Sequence, residues 1–289
     1  MKYPYRRTYR GSALKVRILA QRRSFIEAIE SYITFPANAI AYKPSLEITL
    51  FLSSERALKK VPVRSSKVFY SANVKKNEIR LRIPQELAEH GPLDRNDLFF
   101  RPLSFFLHSF GYHAIHASLV HRKGTFCFFA GPGGRGKSTL ACLLSLSGFQ
   151  LLGDDMVFVG RSKWGFEFLP LRTRAKIDHP EKKSFIDVGS IRVGDMPAFS
   201  RRKKIFFLFP RYDQKNLPEL RPMSKKEGIL RLISDNMTLK TGHPDNRGAK
   251  IRALDFICGL GDNALFFEVF YNDENLPAVS KRIRKLERP

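Results

Sequence analysis

Gly131-Pro132-Gly133-Gly134-Arg135-Gly136-Lys137-Ser138-Thr139 is the stretch on which the fold turns. It fits the pattern GxxxxGK[ST] in full, and its flanks agree with it. The apolar run Thr125–Ala130 (TFCFFA) precedes it, and STLACLLSLSG follows with apolar residues at helical spacing. A strand, a glycine loop and a helix in that order form a phosphate cradle. Small residues let backbone N–H groups turn inward, and the helix start adds orphan donors and a favourable dipole. The expectation is a nucleotide held by Gly131, Gly133, Gly134, Arg135, Gly136, Lys137, Ser138 and Thr139, with Lys137 on the β- and γ-phosphates and Ser138 on Mg²⁺.

Downstream of the helix, GFQLLGDDMVFV sets Asp154 and Asp155 at the end of a short apolar strand. Two adjacent carboxylates there are costly unless a cation or strong donors compensate them. Neighbouring strand residues point to opposite faces, so the pair divides its work. One contacts Mg²⁺, and the other positions or deprotonates an attacking hydroxyl. Upstream, Ala114–Val120 and Thr125–Ala130 are two apolar runs joined by His-Arg-Lys-Gly, a hairpin feeding into the loop.

The order IHASLV, strand, GPGGRGKSTL, GFQLLGDD resembles the C-terminal catalytic domain of HPr kinase/phosphorylase, whose fold is shared with phosphoenolpyruvate carboxykinase. His116 lies 15 residues before Gly131, and Asp154 lies 17 after Lys137, intervals similar to that family's. The resemblance implies that Asp154 is the general base, Asp155 the partner acid at the metal, and His116 a histidine tuning the base. It implies ATP and Mg²⁺ as cofactors and a serine hydroxyl of a protein or peptide as acceptor. It covers residues 105–160 well and 160–235 loosely, and the sequence departs from it in two places. Ser190-Ile191-Arg192-Val193-Gly194 stands where the family has Glu-Ile-Arg-Gly. Arg221-Pro222 is followed by Met223-Ser224-Lys225 where the family has an Arg-Pro-Gly-Arg loop. The likeness is therefore to a kinase-type relative and not to the bifunctional enzyme.

Outward from the loop, the 289 residues read as two regions: a small α/β region over 1–95 and the catalytic region over 96–289. The fold class expected is α/β, a mixed sheet carrying the loop. Helical spacing occurs in Arg22–Ile33, Asp97–Phe110, Ser224–Ile233 and the basic Ala278–Leu286. Strand patterns occur in Leu46–Leu52, Lys67–Ala72, Glu78–Ile83, Phe166–Pro170, Lys204–Phe209 and Leu265–Tyr271.

The formal charge is +24, spread as +10, +6 and +8 over residues 1–100, 101–200 and 201–289. Net charge bears on partners and not on fold. It admits an acidic protein or peptide substrate, an anionic membrane surface or nucleic acid. Tyr3, Tyr5 and Tyr9 interleaved with Arg6, Arg7 and Arg10 would suit the last, although no nucleic-acid module accompanies them. Arg172, Arg174 and Lys176, at alternating positions, would grip phosphate or an acidic acceptor. Three cysteines without a CxxC spacing argue against structural zinc. No segment has the length and apolarity of a membrane span, and the N-terminus lacks the apolar centre of a secretory signal, so a cytoplasmic protein is expected. Two alternatives stand beside the protein-serine kinase. One is a small-molecule kinase acting on an amino acid, sugar or lipid headgroup; the other is an ATPase binding nucleic acid through its basic surface.

Overall fold

A computed structural model describes residues 4–10, 15–30, 45–53, 63–64, 69–73, 76, 78–84, 101–108, 110–162, 165–169, 175–178, 183–186, 204–213, 218–235, 247–272 and 274–286. Arg172, Arg174 and Ser190–Gly194 lie outside them. The chain is α/β with mixed sheets and divides into two compact units. One comprises Met1–His113 with Thr241–Asn246, the other Ala114–Lys240 with Arg247–Pro289.

The first unit is built on a six-stranded sheet. Its strands are β1 (Tyr5–Arg10), β2 (Lys15–Ala20), β3 (Ser45–Ser53), β4 (Val63–Arg64), β5 (Phe69–Asn73) and β6 (Glu78–Pro84), in spatial order β1-β2-β3-β6-β5-β4. β2, β3 and β6 run parallel, and the remaining pairs are antiparallel. Helix α1 (Arg23–Glu30) follows β2 and buries Phe25, Ile26 and Ile29, an i, i+1, i+4 stripe. In β6 the alternation is literal: Ile79, Leu81 and Ile83 are buried while Arg80 points outward. The basic N-terminal stretch pairs as the β1–β2 hairpin, which the sequence reading leaves unassigned. Helix α2 (Arg101–His108) buries Leu103, Phe106 and Leu107.

The second unit holds β7 (Tyr112–Ile115), within which the division falls, β8 (Ala117–Arg122), β9 (Thr125–Ala130) and helix α3 (Lys137–Leu146). Then come β10 (Gln150–Gly153), β11 (Val157–Ser162), β12 (Gly165–Leu169) and the ribbon β13 (Ala175–Asp178) and β14 (Lys183–Ile186). The chain continues through β15 (Lys204–Tyr212), β16 (Glu219–Met223), α4 (Lys225–Asp235), α5 (Arg247–Asp262), β17 (Ala264–Tyr271) and α6 (Leu276–Lys285). The main sheet has the order β10-β8-β9-β15-β17-β16. β9, β15 and β17 are parallel; β8 and β16 run against them, and β10 runs against β8. The carboxyl ends of β9, β10, β15 and β17 therefore all meet at one edge, with the amino end of β8 among them.

Both faces of this sheet are covered, which explains why TFCFFA reads as a continuous apolar run without alternation. Phe126, Phe128, Phe207, Phe209 and Phe266 belong to the core on one face, with Leu232 of α4 and Phe256, Ile257 and Leu260 of α5. Cys127, Phe129, Phe206, Leu208 and Val269 belong to the other, with Leu140, Ala141 and Leu144 of α3 and Val279 and Ile283 of α6. Phenylalanine rings run across the first face: Phe126 on Phe168 at 4.6 Å, Phe128 on Phe207 at 4.8 Å and Phe207 on Phe266 at 5.5 Å. Each such pair adds about 0.5–1.5 kcal/mol beyond its buried area.

Two expectations change. The run 114–120 is not one strand: the chain leaves the three-stranded sheet β12-β11-β7 at His116 and enters the main sheet as β8. Helix α5 has no counterpart in the sequence reading. Its glycines obscure the helical pattern, yet they are packing contacts: a Cβ on Gly259 would lie 2.4 Å from the Arg161 guanidinium, and one on Gly261 would lie 2.4 Å from Ile229. Backbone approach outweighs the propensity cost of glycine there.

Candidate active site

The site forms at the shared carboxyl edge of the parallel strands, the crevice where α/β sheets place their ligands. β9 ends at Ala130, and residues 131–136 turn from it into α3. Gly136 is the residue before the helix, at φ +81°, with no side-chain cap on the first turn and no acidic residue within it. No side chain caps the first backbone N–H groups of α3, an arrangement that could accept an anion. Gly136 is required twice over: the left-handed backbone disfavours a side chain, and a Cβ would meet the Tyr271 hydroxyl at 1.9 Å. That hydroxyl donates to the Arg135 carbonyl at 3.0 Å, tying the end of β17 to the loop.

Lys137 is buried, and its ammonium donates to the carbonyls of Gly131 at 2.7 Å and Pro132 at 2.9 Å. The side chain therefore folds back over the loop it follows. Burial pushes its pKa below the ordinary lysine value, while the carboxylates of Asp155, Asp154 and Asp235 oppose that shift. A buried ammonium short of negative charge suits an arriving phosphate. Arg135 is exposed on the loop, and Thr139 is half-buried in the first turn of α3.

Asp154 follows β10 and is 1% exposed. Two hydroxyls donate to its Oδ1: Ser118 Oγ at 2.5 Å and Ser138 Oγ at 2.8 Å. Ser118 sits on β8, the strand between β10 and β9, so the aspartate is locked to the sheet and to the helix start together. Asp155 adopts φ +69°, a left-handed conformation that aspartate tolerates better than most residues. Its side chain is 34% exposed and lies 3.5 Å from His116 Nε2. The switch of sheets at His116 is what delivers the imidazole there.

The two carboxylates have different surroundings. The pairings run opposite to those expected: Ser138 meets Asp154 and not Asp155, while His116 meets Asp155. Strand alternation separates the two acids but carries no information on which neighbour each will face, because those neighbours come from β8 and α3.

Among the described residues, no group of three or more His, Cys, Asp and Glu could enclose a metal ion. Mg²⁺ needs no such group: it takes one or two carboxylates, a hydroxyl and substrate phosphates, and keeps several waters. Ser138 and Asp154 fit that donor set. Arg221, which aligns with the phosphorylase loop in the resemblance, lies on edge strand β16, paired with Glu219 at 3.0 Å and 4.6 Å from the Phe270 ring centroid. Also at this edge, and absent from the sequence reading, are Tyr271, Ser118, Arg211 and Arg231. Each is a single polar residue on a strand or helix, outside any motif or spacing that would have marked it. No helix among the described residues is long and apolar enough to cross a membrane.

No protein-family model and no curated protein matches this chain. Among solved structures, it is similar to the Hpr(Ser) kinase/phosphatase from Coxiella burnetii, at 15% identity and a TM-score of 0.33, over 60% of this chain and 95% of that one.

Proposed function

We propose that the protein is an ATP- and Mg²⁺-dependent phosphotransferase that moves the γ-phosphoryl group to a hydroxyl, in the first instance a serine of a protein or peptide. The observation that carries this reading is the hydrogen bond from Ser138 Oγ to the buried Asp154, at the head of a helix entered through a glycine loop. Kinases and ATPases with such loops hold Mg²⁺ with this pair of groups.

In this reading the backbone amides of residues 133–137 cradle the phosphates, and Lys137 exchanges its two carbonyl partners for phosphate oxygens. Ser138 and Asp154 would hold Mg²⁺, which would supply neutralisation of the phosphate charge. Asp155, more open and backed by His116, receives the acceptor's proton. This exchanges the roles that the sequence resemblance gives to the two aspartates, and it follows the pairings described above. As the acceptor O–H bond gives its proton to Asp155, the acceptor oxygen bonds to Pγ and the bond from Pγ to the β,γ-bridging oxygen breaks. ADP leaves. Positioning and charge stabilisation supply most of the acceleration.

The test uses γ-labelled ATP, Mg²⁺ and host extract, offered to wild-type protein and to Asp155→Asn, with products split into macromolecular and small-molecule fractions. Label in protein, present with wild type and lost in the variant, supports the proposal. Label in a dialysable product points to a small-molecule kinase of the same chemistry. Hydrolysis stimulated by DNA or RNA with no labelled acceptor overturns it in favour of a nucleic-acid ATPase, the reading that the +24 charge keeps open.

A further inference from the structure

Beside the glycine loop, on the face of the main sheet covered by α4 and α5, lies a cavity of about 260 Å³. Its floor is Phe209 and Pro210 at the end of β15. Its walls carry Arg135, Arg211 and Arg231 against Asp235 and Glu268. These charges are not equivalent. Arg231 is already committed: it pairs with Glu268 at 2.8 Å and lies 5.2 Å from the Phe209 ring centroid. That pair makes a neutral wall. Arg135 and Arg211 have no carboxylate partner among the described residues. Arg211 is steadied by the Phe270 ring, 5.4 Å from its guanidinium carbon. Two unneutralised guanidinium groups against the single carboxylate of Asp235 leave the cavity net positive.

The position is as informative as the charge. Gly131 and Pro132, whose carbonyls hold Lys137, also line the cavity, and the carboxylate of Asp235 is near enough to act on the Lys137 ammonium. The cavity therefore opens onto the place where a γ-phosphate would sit, on the side of the sheet away from α3. Pockets for drug-sized ligands run to about 300–1,000 Å³; this one suits a compact group. Arginine is suited to planar, bidentate recognition of carboxylate and phosphate.

We infer that this cavity binds a carboxylate or phosphate carried by the phosphoryl acceptor close to its reacting hydroxyl, with Arg211 as its principal contact. The inference rests on the phosphotransferase reading for the identity of the ligand as acceptor, and on the cavity alone for its anionic character. The same chemistry has two sources, a small metabolite or an acidic residue flanking a serine in a peptide.

The experiment uses the full chain with Mg²⁺ and a non-hydrolysable ATP analogue, and measures by calorimetry the binding of matched probes. One pair is glycerol 3-phosphate against glycerol. The other is a serine heptapeptide with glutamate on both sides of the serine against the same peptide with glutamine. In at least one pair the anionic member is expected to bind about tenfold tighter or more, the scale of one charge-assisted contact. Which pair responds identifies the source. Arg211→Gln erases the preference and Arg211→Lys retains part of it, while the circular dichroism spectrum and melting temperature of both variants match those of the wild type. No preference in either pair, or a preference that survives in Arg211→Gln, overturns the inference. The same probes are then offered with γ-labelled ATP. Arg211-dependent binding without label transfer upholds the cavity and sinks the kinase reading; label transfer indifferent to Arg211 does the reverse.

Discussion

Tyr271 and Gly136 are bound into one device: the tyrosine hydroxyl donates to the Arg135 carbonyl at 3.0 Å, and it fills the space that a Cβ on Gly136 would need. The last residue of β17 thus holds the glycine loop in shape from across the sheet. Asp213 N–H donates to the Tyr271 carbonyl at 2.9 Å, and the Tyr212 ring meets the Tyr271 ring edge-on at 5.6 Å, so the clamp is itself supported.

Removing the hydroxyl should loosen the loop without unfolding the protein. Tyr271→Phe loses one neutral hydrogen bond, worth roughly 0.5–1.5 kcal/mol, so nucleotide affinity should fall about two- to twelvefold. Gly136→Ala adds strain at φ +81° to the clash and should abolish nucleotide binding. Gly136→Ala combined with Tyr271→Ala relieves only the clash, so binding should stay lost. A fluorescent ATP analogue titrated into each variant checks all three.

The two aspartates should separate by phenotype. Asp155→Asn should leave the affinity for Mg-ATP nearly intact and lower transfer about 10²–10⁴-fold, the usual range for a general base. Asp154→Asn should keep the hydrogen bonds to Ser118 and Ser138 but weaken Mg²⁺-dependent nucleotide binding. Paired measurements of nucleotide affinity with and without Mg²⁺, alongside label transfer, distinguish them. If Asp154→Asn binds Mg-ATP normally yet cannot transfer, the base belongs to Asp154 as the sequence resemblance implies.

Nucleotide binding should take up protons between the free-state and bound-state pKa values of Lys137. Burial lowers the pKa of Lys137 in the free protein, and a bound phosphate favours its charged form and raises it. The bound state then holds more protons between the two values. Affinity is therefore full below the free-state pKa and declines as pH rises through it. Calorimetry in buffers of differing ionisation enthalpy should detect proton uptake in that window, and none well below the free-state value.

Thiol reactivity should be confined to one cysteine. Cys142 lies buried on α3, and burial, reinforced by the Asp154 charge, pushes its thiol up to about 12. Cys127 is buried in β9, and only Cys258 is exposed. At pH 8 a disulfide reagent should titrate one thiol in the native protein and three after denaturation. Cys258→Ser should remove the native reaction.

Much of the architecture is written locally. TFCFFA, the glycine loop and STLACLL specify a strand, a turn and a helix within twenty residues, and GFQLLGDD specifies the strand that ends in the acid pair. Periodicity alone separates the strands of β6 and β17 from the helices α4 and α6. Local rules also say that Asp154 and Asp155 face different ways. They do not say toward what. The Ser138–Asp154 and Ser118–Asp154 bonds span 16 and 36 residues, and the His116–Asp155 pair depends on the chain changing sheets at His116. The Tyr271 clamp spans 136 residues. Each such pairing depends on strand order and register, which arise only when β8 inserts between β10 and β9 and when β15 and β17 align their carboxyl ends beside the loop. A sequence specifies which groups are available for chemistry; the packing of one strand beside another decides which of them meet.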